Sequence, residues 1–573
     1  MLFIDFETYY DKDYSLKKMP TMQYIRDPRF RLLGAAIWQS GDKEITWLDE
    51  VEVHRQLPKI CYKHRSAVAH NAYFDAAVLS EVFGIRIPWW YDTMLMARWY
   101  ISQGGMHPDQ TTSLEALAAP FGYTKGDTGE AIQTGGEELA DYAKHDLKMT
   151  MLLYHFFKRI GLPPHEELSY MNIRIKAAAE PMLSLNKELL HKVANRQPSD
   201  LAVKLRKNEH FVKVLKHYGV EPEYKTSPRT GKQTLATAKT DEFMQRLQRH
   251  ENPKVRKIVQ LRMEGSSNIN QTRAQRFLDI GEPFPLPLLY YAAHTGRDGG
   301  MDKINPQNLP RGGELRRAIE APPGHKLVIV DSSQIEVRTL AWLAGCCTLL
   351  NVFHSGDDPY RQFAGDVLYR KPPSEITKPE RNMAKPPVLA CGYGQSANGL
   401  IQYAEGMGIN LDRQMADRAV KGYRNKYFEI VRYWDSLMNQ VQKYGELELP
   451  NKRKLIYPDR YWHGRTLMYK RPQIFSKTKK GQRDHAKIWG GLLAENITQA
   501  VARDVVFEQA RWLSYKWPVV LSIHDEVILC VPDNQAEQAL EDALEAFKTA
   551  PAWAADLPVE GEGEVFKNYA KEL

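Results

Sequence analysis

Several short stretches of the chain combine residue types and spacings that suit a metal ion or a phosphate. In KLVIVDSSQIEVRTLAWLAG, Lys326–Gly345, an aliphatic run ends in Asp331. A carboxylate at the carboxyl end of a buried strand, where backbone and side-chain oxygens converge, is a good seat for a hard divalent cation. The same aspartate could instead cap the helix that Ile335, Val337, Leu340 and Leu343 predict. Near the other end, LFIDFET sets Asp5 and Glu7 two residues apart, on one face of a strand. Two carboxylates facing the same way repel each other unless a cation lies between them. In RNMAKPPVLACGYG, Arg381, Lys385 and Leu389 are spaced four apart, so an uninterrupted helix aligns them. Two cations one turn apart can hold a triphosphate, Lys as a point charge and Arg through its planar fork, or can simply form a solvated face. Finally, VVLSIHDEVIL puts His524, Asp525 and Glu526 between two apolar runs, the pattern of a hairpin with a polar tip.

The elements that must position these groups follow from periodicity. Leu327–Val330 is short enough to be a buried strand, and LFIDFET and LLGAAIW (Leu32–Trp38) open the chain as two more. AVAHNAYFDAAVL reads as a short strand into His70-Asn71, then a helix with Asp75 in its first turn. EELADYAKHDLKMTMLLYHFF predicts an amphipathic helix with Tyr142 and Asp146 one turn apart on one face. Gly161-Leu162-Pro163-Pro164 breaks that pattern and marks a domain boundary. Helical segments are expected over Glu166–Asn195 and Pro198–Tyr218, then a breaker-rich polar loop carrying Lys225, Arg229, Lys232 and Lys239, then a helix over Asp241–Arg249. Those cations read as a solvated tip or as a phosphate grip without base specificity. A basic helix after Pro253 and the polar GSSNINQTRAQRFL follow. Pro386 and Pro387 predict a kink or restart just after Lys385. The region beyond Asn534 reads as an acidic helix and a short end segment without evident chemistry.

Composition bounds the function classes. At 573 residues with 26% charged and 43% hydrophobic residues, the chain has the make-up of a multidomain globular protein. A formal charge of +8 permits a polyanionic partner without requiring one. The five cysteines show no CxxC spacing, so reduced thiols in a cytosol-like compartment are expected. MLFIDFETYY lacks the basic start of a signal peptide, and no apolar run approaches membrane-spanning length.

The order DxE, NxxxD, YxxxD, carried by Asp5, Glu7, Asn71, Asp75, Tyr142 and Asp146, resembles the proofreading 3′→5′ exonucleases of the DEDDy class. That resemblance implies that Asp5, Glu7, Asp75 and Asp146 ligate metal and that Tyr142 orients the attacking water. Asp92 lies where such domains often carry an acid but is not taken as a ligand. The alternative is a catalytically dead domain of the same fold.

From Tyr290 onward, TGR, NPQNLPR, DSSQIEVR, RNMAKPPVLACGYG and IHDE together resemble family A DNA polymerases, the bacterial polymerase I group, in a compact bacteriophage-type form. The resemblance spans nearly the whole chain and matches least well over 220–280 and near Lys470. It implies an α/β and α+β architecture: an RNase H-like exonuclease domain over 1–162, then a right-hand polymerase domain over 163–573. Within the latter, an antiparallel palm sheet (about 281–350 and 441–573) would join a helical thumb (about 185–280) and helical fingers (about 351–440). Asp331, Asp525 and the Ser332 carbonyl are then metal ligands and Glu526 an assisting acid. Arg381, Lys385, Leu389, Tyr393, Gln334 and Tyr360 would surround the dNTP, and Glu336 would crowd the sugar 2′ position. Arg297, Gln307, Asn308, Arg311, Gln499 and His524 would touch DNA.

The implied reaction is dNTP addition to a primer with proofreading, using two Mg2+ per active site, with Mn2+ as a substitute. Primer-template DNA, dNTPs and replisome partners such as a helicase-primase and a single-strand binding protein are the implied partners, for a monomer in the bacterial cytoplasm. Because the exonuclease pattern begins at Asp5, no 5′-nuclease domain is expected before it. Ser332, Leu389 and Tyr360 depart from the family pattern, which usually has Tyr, Phe or Tyr, and His there. Lys470–Lys487 is basic, a solvated loop or a DNA-backbone contact. Competing readings are a single-subunit RNA polymerase, a translesion enzyme without proofreading, and an exonuclease with a non-catalytic DNA-binding C-terminal half.

Overall fold

The computed structural model describes all residues except 125, 127–128, 130–134, 198, 227–230, 232, 239–240, 267, 477–482 and 572–573. Arg229, Lys232, Lys239, Lys477, Lys479 and Lys480 lie outside the described residues.

Five strands, β1 (Leu2–Thr8), β2 (Leu32–Gln39), β3 (Thr46–Asp49), β4 (Ser66–Ala69) and β5 (Trp89–Asp92), form one sheet in the order β3-β2-β1-β4-β5. β1 runs antiparallel to β2 and parallel to β4, so it is central and buried along most of its length. Glu7 stands opposite Gly34, where a Cβ would lie 2.2 Å from the Trp47 ring, so only glycine lets β2 and β3 close there. Helices α1 (Ala72–Phe83), α2 (Thr93–Ser102) and α3 (Gly136–Ile160) pack around this sheet. Leu139, Ala143, Leu147, Thr150 and Leu153 recur on the buried side of α3, the stripe its periodicity predicts.

α3 ends at Ile160, and α4 (His165–Ala179) begins beyond the Pro163-Pro164 break. The expected helix over Glu166–Asn195 is two helices, because Pro181 disfavours helical backbone at Glu180. A short strand and α5 (Lys187–Ala194) follow, and α5 packs against α6 (Ile269–Ile280). Pro198–Tyr218 likewise divides into Asp200–Leu205 and Asn208–His217. Residues between α5 and α6 bury a small core of their own around Phe211, Leu215, Phe243 and Val259. Lys225 sits on a short hairpin, paired with Asp241 at 2.6 Å.

The C-terminal part is built on β6 (His325–Ser332), whose Leu327–Val330 run is wholly buried. α7 (Ile335–Ala344) follows it, then a helical region that includes α8 (Pro359–Phe363), α9 (Lys378–Ala390) and α10 (Phe428–Tyr444). A three-stranded antiparallel sheet, β7 (Tyr461–His463), β8 (Thr466–Lys470) and β9 (His485–Ile488), leads into the long α11 (Gly490–Ser514). β10 (Val519–Ile523) and β11 (Glu526–Pro532) form the expected hairpin, followed by α12 (Ala536–Lys548) and β12 (Gly561–Phe566). These strands complete an antiparallel sheet ordered β10-β11-β6-β12. The end segment is therefore a strand of the central sheet; Gly561 and Gly563 conceal it, since they carry no side chain to mark an alternation.

A buried charge network ties α4 to α11. Arg503 pairs with Glu167 and Asp504, Arg453 pairs with Asp504 at 3.0 Å, and Arg174 pairs with Asp298 at 2.7 Å. Such groups are tolerated in a core only when each charge meets its complement.

Candidate active sites

The first site lies where β6 and β11 end together. Their register sets Asp331 opposite Glu526, and the Ser332 N–H donates to the Asp525 carbonyl at 2.8 Å. A two-residue turn, with His524 in the left-handed region at φ 55°, carries Asp525 between the strands. Asp331 does not cap the following helix: Gln334 occupies that place in left-handed backbone at φ 48°. Burial and the nearby Asp331 charge raise the carboxyls of Asp525 and Glu526 above their usual range. The ammonium of Lys571 donates to Asp331 and lies 3.0 Å from Glu526. Asp331 and Glu526 thus already share a cation, and hard carboxylate oxygens of this kind suit a divalent metal ion.

Arg381, Lys385 and Leu389 form a half-exposed stripe on α9, with Ala384, Pro386, Pro387 and Val388 buried behind them. The expected restart after Lys385 does not occur, and the helix runs from Lys378 to Ala390. Proline's fixed φ is itself helical, a capping box of Thr377 and Glu380 secures the start, and both rings are buried. Arg381 is ion-paired with Asp358, and its guanidinium lies 5.0 Å from the centre of the buried Tyr360 ring. Tyr360 therefore supports Arg381 from below, and its burial pushes its hydroxyl up to about 12. Beyond α9, the Tyr393 hydroxyl donates to Glu336 at 3.4 Å, and Arg297 pairs with the other Glu336 oxygen. One carboxylate of α7 is thereby held from two directions.

Of the remaining residues expected at DNA, Arg297 and Arg311 lie near the same turn. Arg297 and Arg311 lie close enough to lower the Asp525 carboxyl, opposing its burial. His524 is held below the usual imidazole range by burial and by Arg297. Gln307 donates to the Asp298 carbonyl at 2.8 Å, the Asn308 carbonyl accepts from Arg273 at 3.4 Å, and Gln499 donates to Glu495 at 3.1 Å.

The second site is on the N-terminal sheet. Oxygen atoms of Asp5, Glu7 and Asp146 lie within 4.8 Å of one another, a spacing that suits a metal ion. Asp75 joins them from α1, accepting the Phe6 N–H at 3.2 Å, and its carboxyl is raised by burial and by Asp5. Tyr142 lies one turn before Asp146 on α3, packed with Leu139 against Leu33 and Trp47. Asp92 caps α2 and also accepts from the N–H groups of Asn71 and Ala72, so it fixes the start of the helix that carries Asp75. Burial raises its carboxyl to about 6.

A model of DNA polymerase family A matches residues 187–571, more than half of the chain. The chain belongs to DNA polymerase family A. Among family members, it is 26% identical over 404 residues to the DNA polymerase of Bacillus phage SP02, covering 59% of this chain and 61% of the relative. With DNA polymerase I of Pseudomonas aeruginosa it shares 28% identity over 281 residues, which span only 29% of that protein. The match to DNA polymerase I of Aquifex aeolicus covers 93% of both chains at 25% identity. The fold resembles the POL domain of Pol1 from M. smegmatis, solved with DNA primer-template and dNTP, with a TM-score of 0.69 and 18% identity. That likeness covers 95% of this chain and 93% of the other.

Within this family A chain, two partners of the site residues escape sequence reasoning. Asp358 shows only as a helix cap in GDDPYRQFA, although the Arg381 pair forms from it. Lys571 has no local signal at all; β12 must pair with β6 before its side chain can reach Asp331.

Proposed function

We propose that the chain extends a DNA primer with dNTPs at the Asp331, Asp525 and Glu526 site and removes mispaired 3′ ends at the Asp5, Glu7, Asp75 and Asp146 site. The observation that carries this reading is the pairing of β6 with β11, which sets Asp331 against Glu526 and beside Asp525. Mg2+ or Mn2+ bound by either set of acids, two ions per site, would activate the attacking oxygen and stabilise the leaving group's charge. Arg381 and Lys385 bind the triphosphate, Arg381 exchanging its Asp358 partner for phosphate oxygens. Glu336, tied to Arg297 and Tyr393, fills the space a ribose 2′-hydroxyl would need, and Tyr393 closes the site over the nascent pair. This favours DNA over RNA synthesis. Base identity is read by pairing geometry, so the acids and cations need no base contacts. At the second site Tyr142 orients the attacking water, and Asp92 keeps Asp75 in place.

In this reading residues 1–162 are the exonuclease domain, followed by thumb, palm and fingers within 163–573. Similarity to the SP02 phage polymerase supports a replicative phage enzyme working in a host cytoplasm, with primer-template DNA and dNTPs as its ligands. Among the described residues no helix is long and apolar enough to cross a membrane. The test is primer extension and primer degradation, with dNTPs and Mg2+ withheld in turn. Asp525→Ala should abolish extension and spare degradation, and Asp5→Ala should do the reverse. If Asp525→Ala leaves extension intact, the C-terminal half is not the polymerase.

A further inference from the structure

The sheet of β7, β8 and β9 has one face that the reaction above does not use. Register puts Tyr461, Met468 and Lys487 in one cross-strand row, His463 beside Thr466, and Lys470 beside His485. Residues directly opposite in antiparallel strands share a face, so these side chains stand together on one side. The alternate residues Leu467, Tyr469, Ala486 and Ile488 are buried in the helical core on the other side. On the first face Tyr461, His463, Lys470, His485 and Lys487 are exposed, and the Tyr461 hydroxyl is hydrogen-bonded to His485, which fixes the ring. The three strands contain no acid. Nearby Arg471 and Arg483 are engaged by Asp484 and by Asp109 and Asp459, whereas Lys470 and Lys487 form no ion pair among the described residues.

Position gives this face a direction. β9 runs into α11 through Trp489, which is itself half exposed. A Cβ on Gly491 would lie 2.3 Å from the Tyr393 carbonyl oxygen, so the start of α11 abuts the turn that would cover the nascent base pair. Lys487 precedes Gly491 by four residues, at most roughly 13 Å of extended chain. An exposed aromatic ring among cations, on strands that carry no acid, is the surface on which a single strand stacks its bases and lays its phosphates without sequence preference. A duplex would offer no free base faces to Tyr461.

We infer that this sheet face binds the single-stranded template ahead of the insertion site, an inference that rests on the polymerase reading above. Tyr461 stacks an unpaired base while Lys470 and Lys487 meet the flanking phosphates.

The experiment measures binding of a labelled primer-template by fluorescence anisotropy, comparing a one-nucleotide template overhang with a long one, across a salt series. Wild-type protein should bind the long overhang more tightly. Tyr461→Ala should lose about tenfold of that gain, the size of one base stack. Lys470→Ala with Lys487→Ala should lower the salt slope on the long overhang by roughly 1.4, about 0.7 for each cation removed from a single strand. Both variants should bind and extend the one-nucleotide substrate as wild type does, which also checks that they fold. No gain from the long overhang in wild type, an undiminished gain in the variants, or an equal loss on both substrates would each overturn the inference. Failure of wild type to extend either substrate would instead sink the polymerase reading, and the inference with it.

Discussion

Lys571 offers the sharpest test of how the polymerase acids are balanced. Its ammonium sits against Asp331 and Glu526, the oxygens that would hold a divalent ion, so metal must displace it. Two unit charges about 4 Å apart attract by about 4 kcal/mol at an effective dielectric of 20. The Lys571 side chain is 36% exposed and Asp331 32%, so solvent screening cuts each pair to about 0.5–1 kcal/mol. Losing both pairs in Lys571→Met should therefore tighten metal binding by about 1–2 kcal/mol, about five- to thirtyfold. Mn2+ titration followed by electron paramagnetic resonance reads this directly, in an Asp5→Ala, Glu7→Ala background that removes the other site. Lys571→Arg should stay near wild type because it keeps the charge, and Asp331→Asn should lose the ion. Equal Mn2+ affinity in Lys571→Met and wild type, with Asp331→Asn still losing the ion, would refute the displacement argument while leaving the metal site standing.

Other expectations follow from the same geometry. Glu336→Ala frees Arg297 and Tyr393 and, with Glu336 at the sugar as proposed, should lower the kcat/KM preference for dNTP over rNTP by about tenfold or more; an unchanged ratio would remove Glu336 from sugar selection. Asp92 is protonated more readily in the fold than in the unfolded chain, from the usual 3.8 up to about 6. Its stabilising contribution is thus complete below 3.8 and is lost as pH rises through 6. Asp92→Asn keeps a capping side chain but cannot titrate, so across that window the variant should gain on wild type by up to about 3 kcal/mol in urea unfolding. A pH-independent difference would contradict it. Gly34→Ala should cost about 1–3 kcal/mol by forcing a methyl into the Trp47 ring, measured in the same urea assay; a neutral result would mean β3 can shift freely.

Much of both sites is legible in the sequence. Alternation in β1 put Asp5 and Glu7 on one face, and the period of α3 put Tyr142 and Asp146 one turn apart. The four-residue spacing in α9 aligned Arg381, Lys385 and Leu389. These are local facts, set by side-chain periodicity and by steric preferences of a few neighbouring residues. The restart that Pro386 and Pro387 suggest is absent for a related reason: proline's missing N–H is visible in sequence, but the buried surroundings that let α9 continue through both are not.

Tertiary structure alone decided which distant charges meet. Gln334 taking the cap position removed the helix-cap reading of Asp331, and β11 arriving opposite brought Glu526 to it. The pairing of Arg381 with Asp358, the hold of Arg297 and Tyr393 on Glu336, and the reach of Lys571 to Asp331 all join residues from different elements. A charge carries no record in its neighbours of the partner it will find. That partner is chosen when strands register and helices pack, because burial of the apolar runs fixes where each polar end must emerge.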